Sequence, residues 1–197
     1  MNTALPADFS HAVEAVAIGA SAGGIDALLE LLGGLQAPFR GTVIAVLHLP
    51  ESHESRLPEV FSARLGIPVE EAQPHAPVES GKVYFAPPGY HLLVEGDRTF
   101  SLSCDPPVLF SRPSIDVLME SCADLYGPDM AGIVLTGANE DGARGLARIG
   151  AAGGMTAVQD PAEAAHAAMP LAAVKMANPD YVLPLAGLRR LLHTVVR

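Results

Sequence analysis

Two cysteines, Cys104 and Cys122, are all that this 197-residue chain carries. Two thiols cannot build a disulfide framework, and their scarcity suits a reducing compartment. Basic residues are scarce too. Lysine and arginine total 12 against 22 aspartates and glutamates, for a formal net charge of −10. Such a chain has little with which to neutralise phosphates, which argues against nucleic acid as a partner. It also repels polyanions overall, although solubility alone accounts for a charge of this size. No apolar run approaches the roughly 18 residues of a membrane span, and no signal peptide opens the chain. The expectation is a cytoplasmic protein without membrane insertion.

What is present is apolar. Hydrophobic residues make up 49% of the chain and charged residues 17%. That suits an α/β protein whose central strands are covered on both faces. The length fits one domain, residues 13–197, behind a short loose tail of residues 1–12. Val13–Ile18 and Thr42–Leu49 read as buried strands. Ile25, Leu28, Leu29, Leu32 and Leu35 have helical spacing over Gly23–Leu35. Further helices are expected at Ser55–Leu65, Ser114–Tyr126, Ala143–Ala151, Pro170–Ala177 and Leu188–Val196. Strands are expected at Ile67–Glu71, Lys82–Phe85, Ala131–Thr136, Met155–Gln159 and Tyr181–Pro184. The alanine-rich residues 161–168 read as helix or lid. Tyr90–Val94 and Thr99–Ser103 alternate around a Glu-Gly-Asp-Arg turn, the pattern of a hairpin. The alternation of strand and helix calls for a three-layer α/β/α fold with a mostly parallel sheet, plus an appended β-hairpin near residues 90–103.

The most specific local pattern is Gly19-Ala20-Ser21-Ala22-Gly23, which fits the G-x-S-x-G nucleophile elbow. Glycines permit the sharp strand-to-helix turn. The serine sits at a helix N-terminus, where free N–H groups can hold an oxyanion. Nucleotide readings fail on residues. No lysine ends the loop as in a P-loop, and the next strand ends in His48 rather than an acid. Ser21 also has a plain alternative as a helix cap.

Ligands of an open parallel sheet bind beyond the carboxyl ends of its strands. Three reactive side chains follow strands here: Ser21, His48 and Asp141. Parallel strands deliver all three to one edge, and nucleophile, base and orienting carboxylate are the roles of a hydrolytic triad. Each alone has an ordinary explanation: a cap, a strand-end histidine, an Asp-Gly turn. Glu140 competes with Asp141, and His91 is the rival base. His11, His53, His75, His166 and His193 read as surface residues. No metal is expected, since neither histidines nor cysteines have ligand spacing. Both cysteines read as inert thiols, and no cofactor is implied.

These residues resemble the catalytic domain of the bacterial chemotaxis protein-glutamate methylesterases. The carriers are Ile18–Gly24, His48-Leu-Pro50, Ala86-Pro87, Arg112-Pro-Ser-Ile-Asp-Val-Leu118, Leu135-Thr-Gly with Asp141-Gly142, and Met169-Pro170. The resemblance implies Ser21 as nucleophile, His48 as base and Asp141 as orienting carboxylate. It implies hydrolysis of glutamyl methyl esters of chemoreceptor cytoplasmic regions to glutamate and methanol, and in some members glutamine deamidation. The expected oxyanion donors are the N–H of Ala22 and one from the Gly137–Asn139 turn, at Ala138. Arg112 and Met169 are expected near the substrate. Departures are Ala22 where threonine is common, Ala138-Asn-Glu140 before the aspartate, and an alanine-rich stretch before Met169. The family usually carries an N-terminal receiver domain, whereas here the elbow strand begins by Val16. That points to a receiver-type regulator on a separate chain, to no phosphorylation control, or to another pathway. Two alternatives stand beside the esterase: a catalytically silent or differently targeted methylesterase-like interaction module, and a hydrolase of another ester or amide.

Overall fold

The computed structural model describes residues 2–5, 11–36, 38–48 and 55–196. His53 and the Leu49-Pro50 part of the second strand motif lie outside them. In chain order the elements are β1 (Ala15–Ala20), α1 (Gly24–Leu32), β2 (Thr42–Leu47), α2 (Leu57–Leu65), β3 (Val69–Glu71), β4 (Val83–Phe85), β5 (His91–Val94) and β6 (Phe100–Ser103). There follow α3 (Ile115–Tyr126), β7 (Met130–Val134), α4 (Ala143–Ala151), β8 (Met155–Gln159), α5 (Ala168–Ala177), β9 (Tyr181–Leu183) and α6 (Leu185–Val195).

Seven strands form one sheet in the order β3-β4-β2-β1-β7-β8-β9, and every pairing is parallel. Strand β1 is the hinge of this topology. From it the chain builds outward through β2 on one side and, later, through β7 on the other. That is a topological switch point, where the loops after neighbouring strands diverge and leave a crevice.

The sheet is covered on both faces. Val16, Ile18 and Ala20 of β1 join Leu28, Leu31 and Leu32 of α1 and Leu188, Leu191 and Leu192 of α6 in one core. Ala15 and Ala17, pointing the other way, join Ile115, Leu118 and Met119 of α3, with Leu146, Ile149 and Ala173, in the second. Each fully buried leucine of these layers contributes roughly 2 kcal/mol by leaving water. The α3 face of β1 carries only small residues, which lets the helix come close. A methyl group on Gly19 would lie 2.3 Å from Ile115 Cγ2. The antiparallel pair β5–β6 forms its own small sheet, and Leu92, Val94 and Phe100 tuck it into the second core.

Several boundaries differ from expectation. The alanine-rich residues 161–167 are turns rather than helix, and α5 begins at Ala168, two residues before its expected start at Pro170. Helix α6 starts at Leu185, three residues before the expected start, because Pro184 supplies an extended N-cap. Helix α2 starts at Leu57. The tail is in part tied down: Asn2 N–H donates to Asp180 O at 2.8 Å, and Val182 N–H donates to Asn2 O at 3.0 Å. Asn2 thereby occupies part of the free edge of β9, the kind of edge that otherwise invites pairing with other chains.

The Gly19–Ile115 approach makes a stability test. Gly19→Ala overpacks a buried contact and is expected to cost about 1–3 kcal/mol. In a double-mutant cycle with Ile115→Ala, measured by urea unfolding, the pair should cost clearly less than the sum of the single changes. Strict additivity would contradict the contact.

Candidate active site

Ser21 leaves the carboxyl end of β1. Its N–H donates to Thr136 O at 3.0 Å, and its own carbonyl accepts from Gly24 N–H at 2.8 Å. Gly23 has a φ of 77°, and a Cβ there would sit 2.8 Å from Ala165 Cβ, so only glycine fits. The elbow is tied down by Thr136, buried just after β7. Thr136 Oγ1 donates to Ala22 O and accepts from His166 N–H, each at 2.9 Å. Its N–H donates to the buried Gln159 Oε1 at 2.8 Å. Gly137 N–H reaches His166 O, and Met169 N–H reaches Gly137 O. The serine turn, the turn after β7 and the loop before α5 are thus cross-linked into one unit. Among the described residues, the N–H groups of Ala22 and of the exposed Ala138 have no acceptor.

His48 follows β2, beside the elbow. Its N–H donates to Ala20 O at 3.1 Å. Its Nε2 lies 2.9 Å from Asp141 Oδ2, and its side chain is 11% exposed. Asp141 is fully buried at the N-terminus of α3. Oδ1 accepts from Ser114 Oγ at 2.8 Å and from Asp116 N–H at 3.0 Å; Oδ2 accepts from Ile115 N–H at 2.7 Å as well as from His48. Burial pushes this carboxyl up. The His48 ring, the N–H groups of Asp116 and Ile115, and the Ser114 hydroxyl together outweigh it and hold Asp141 below the ordinary carboxylate range. An ionised carboxylate only accepts, so His48 Nε2 carries the proton and Nδ1 is the basic nitrogen.

The arrangement is reciprocal. Asp116, in the first turn of α3, accepts from Gly142 N–H at 2.9 Å and from Gly145 N–H at 2.7 Å at the start of α4. Burial is the main reason that its carboxyl titrates above the ordinary value; the Gly145 N–H opposes this and the Asp141 charge adds to it. Gly142 has a φ of 94°, and any Cβ there would meet Ile115 Cγ2 at 2.7 Å. This explains the Asp-Gly pair after β7.

Ser21, His48 and Asp141 therefore end up on one edge of the sheet, with His48 hydrogen-bonded to Asp141. No hydrogen bond joins the Ser21 hydroxyl to His48. The hydroxyl facing His48 Nδ1 belongs to Ser111, at 3.4 Å, and Asn139 Nδ2 donates to that same oxygen at 3.3 Å. Ser111 has no sequence signature, and its loop cannot be placed by periodicity. The rival base, His91, is removed from contention. It is buried, its Nδ1 accepts from Ser114 N–H at 3.1 Å, and its Nε2 faces Pro106 O at 3.2 Å. Glu140 is exposed. Arg112 Nη1 donates to the carbonyls of Cys104 and Asp105, at 3.1 and 3.2 Å, which clamps the loop before α3. Met169 is fully buried with its thioether against Gly137, so it supports the turn from beneath rather than lining an open surface. His11, His75 and His166 are exposed, while His193 is half-buried. Burial pushes the Cys122 thiol up to about 12, which leaves it inert. Among the described residues no cluster of histidine, cysteine and acidic groups could hold a metal, and no helix is long and apolar enough to cross a membrane.

A parallel α/β sheet with a serine elbow and a His–Asp pair, its aspartate buried, at the switch point defines a hydrolase-type scaffold. Comparison with known proteins narrows it. The profile of the CheB methylesterase family matches residues 16–192, and the chain belongs to that family. It is 43% identical over 178 residues to a Leptospira interrogans protein named for protein-glutamate methylesterase and protein-glutamine glutaminase activity, covering 90% of this chain and 92% of that one. It is 42% identical over 180 residues to a Hahella chejuensis protein of the same name, of which it spans only 50%. The catalytic domain of Thermotoga maritima CheB methylesterase superposes with a TM-score of 0.88 at 26% identity, covering 92% of this chain and 98% of that domain.

Asp141 gives the site its pH signature. A carboxylate whose folded pKa is lowered contributes stability that is complete above the unfolded value of about 3.9 and is lost as pH falls through the folded value. Asp141→Asn should lower unfolding free energy at pH 7 by about 2–4 kcal/mol. Urea titrations of both proteins should show that gap narrowing below about pH 4. A gap of constant size down to pH 2 contradicts the assignment.

Proposed function

We propose that this chain is a serine hydrolase that cleaves glutamyl methyl esters on the cytoplasmic regions of chemoreceptors. The observation that carries this reading is the His48–Asp141 pair opening onto the same sheet edge as the Ser21 elbow, in a chain of the CheB methylesterase family. Asp141 fixes the imidazole with Nε2 protonated. His48 Nδ1 takes the Ser21 proton as Oγ attacks the ester carbonyl. The Ser111 contact at that nitrogen is long, so giving it up to Ser21 costs little. The tetrahedral oxyanion is met by the free N–H groups of Ala22 and Ala138; each such donor is worth on the order of 100- to 1000-fold in rate. The altered Ala138–Glu140 turn thus keeps a donor, which favours an active enzyme over a silent module. Protonated His48 passes its proton to the methoxide as methanol leaves. Water, deprotonated by the same nitrogen, then attacks the acyl-enzyme to give glutamate and restore Ser21. The relatives' second named activity, on glutamine, fits the same path with ammonia leaving.

The reading includes a cytoplasmic setting and a receiver-type regulator on a separate chain. It treats Arg112 and Met169 as supports of the loops that face the substrate.

Ser21→Ala should cut methanol release from a methylated receptor cytoplasmic fragment by about 10,000-fold or more while thermal unfolding stays near wild type. His48→Gln should cut release by a comparable factor. Near-normal release by the alanine variant removes Ser21 as nucleophile, and near-normal release by the glutamine variant removes His48 as base.

A further inference from the structure

Leu109 and Phe110 form the tip of a two-residue hairpin. Val108 N–H donates to Ser111 O at 3.1 Å, and Ser111 N–H donates to Val108 O at 2.8 Å. Both tip residues hold left-handed backbone angles, with φ of 47° and 64°. A turn of this kind favours Asn-Gly, and bulky side chains are strained in it. Packing offsets none of that strain at Phe110, which is 103% exposed, and only part of it at Leu109, which is 45% exposed. Folding alone gives no reason for the phenylalanine at this point.

The surroundings supply one. Ser111, the next residue, is the one whose hydroxyl faces the basic nitrogen of His48. The flanks of the tip are pinned, by Arg112 on Cys104 O and Asp105 O and by His91 on Pro106 O. The tip is therefore held in place one residue away from the hydroxyl that faces the His48 imidazole. Other exposed apolar side chains stand on segments leaving the same edge of the sheet: Ile25 after β1, Tyr90 after β4 and Leu171 early in α5.

We propose that the Leu109–Phe110 tip docks the protein substrate, packing on apolar side chains that flank the glutamyl ester and setting its register against Ser21. This rests on the protein-ester reading above. On this proposal a polypeptide that presents an ester to the Ser21–His48 edge runs past Ser111, whose hydroxyl faces His48, and lies against the tip, whereas a small free ester engages only the edge. Strain at the tip is then retained because it aims an apolar probe at the substrate.

The double variant L109N/F110G replaces the tip with the residues that this turn prefers, and so guards against misfolding. It should unfold at a higher temperature than wild type. Its KM for methanol release from a methylated receptor cytoplasmic fragment should rise about tenfold more than its KM for p-nitrophenyl acetate, the change expected when roughly one phenyl ring loses its contact. Parallel changes on both substrates, or no change on the protein, overturn the docking role while leaving the esterase reading intact. Loss of a wild-type dimer in sedimentation without that KM split assigns the tip to self-association, and also overturns it. A wild-type chain that hydrolyses p-nitrophenyl acetate but releases no methanol from the methylated fragment removes the substrate reading, and this inference with it.

Discussion

The carboxylate of Asp141 holds this site together. It is buried, charged and saturated with donors, and those donors come from two separate stretches of chain: the His48 ring on one side, and the Ser114 hydroxyl with the first N–H groups of α3 on the other. A helix N-terminus is one of the few places where an interior can accept a negative charge without a cation, because its unpaired N–H groups and its dipole both favour an anion. The same contact therefore docks α3 against the turn after β7, fixes which nitrogen of His48 is basic, and aligns the imidazole over the sheet edge. The geometry of the candidate site and the packing of the helix are a single interaction seen from two sides.

Around that centre the scaffold divides its work. The glycines at positions 19 and 142 exist for Ile115, which fills the space between β1 and the aspartate turn. Thr136 and Gln159 do the corresponding job on the other side, joining the elbow to the turn after β7 through buried hydrogen bonds. Both hold the Ser21 turn and the turn after β7 at a fixed separation, which matters in the proposed reaction because misplacement by about 1 Å costs orders of magnitude in rate.

The sequence displayed some of this and hid the rest for physical reasons. The elbow was visible because its glycines are dictated by local backbone shape. His48 and Asp141 were visible because strand ends can be counted along the chain and parallel strands share an edge. The partners of Asp141 were not, since two of them are backbone N–H groups about 25 residues earlier, and a backbone group carries no residue identity. His91 read as a rival base because it lies near a strand end after Pro88-Gly89; its ring partners, Pro106 O and Ser114 N–H, are backbone groups in a stretch without periodicity. Ser111 was hidden for the same reason. The early start of α6 was missed because Pro184 was given to the preceding strand, although Leu185, Leu188, Leu191, Leu192 and Val195 carry the helical spacing. Asn2 on the edge of β9 left no trace, since one bridge needs no pattern.

The two reciprocal acids also set how the protein answers to acid. Asp141 binds its proton more weakly in the fold than in the open chain, and Asp116 binds its own more tightly, chiefly through burial. As the medium acidifies, Asp116 is the first of the two to be neutralised. That step favours the native state and silences the repulsion between the pair, while His48 keeps its charged neighbour. The opposite signs partly cancel, so mild acid weakens the fold less than Asp141 alone would dictate.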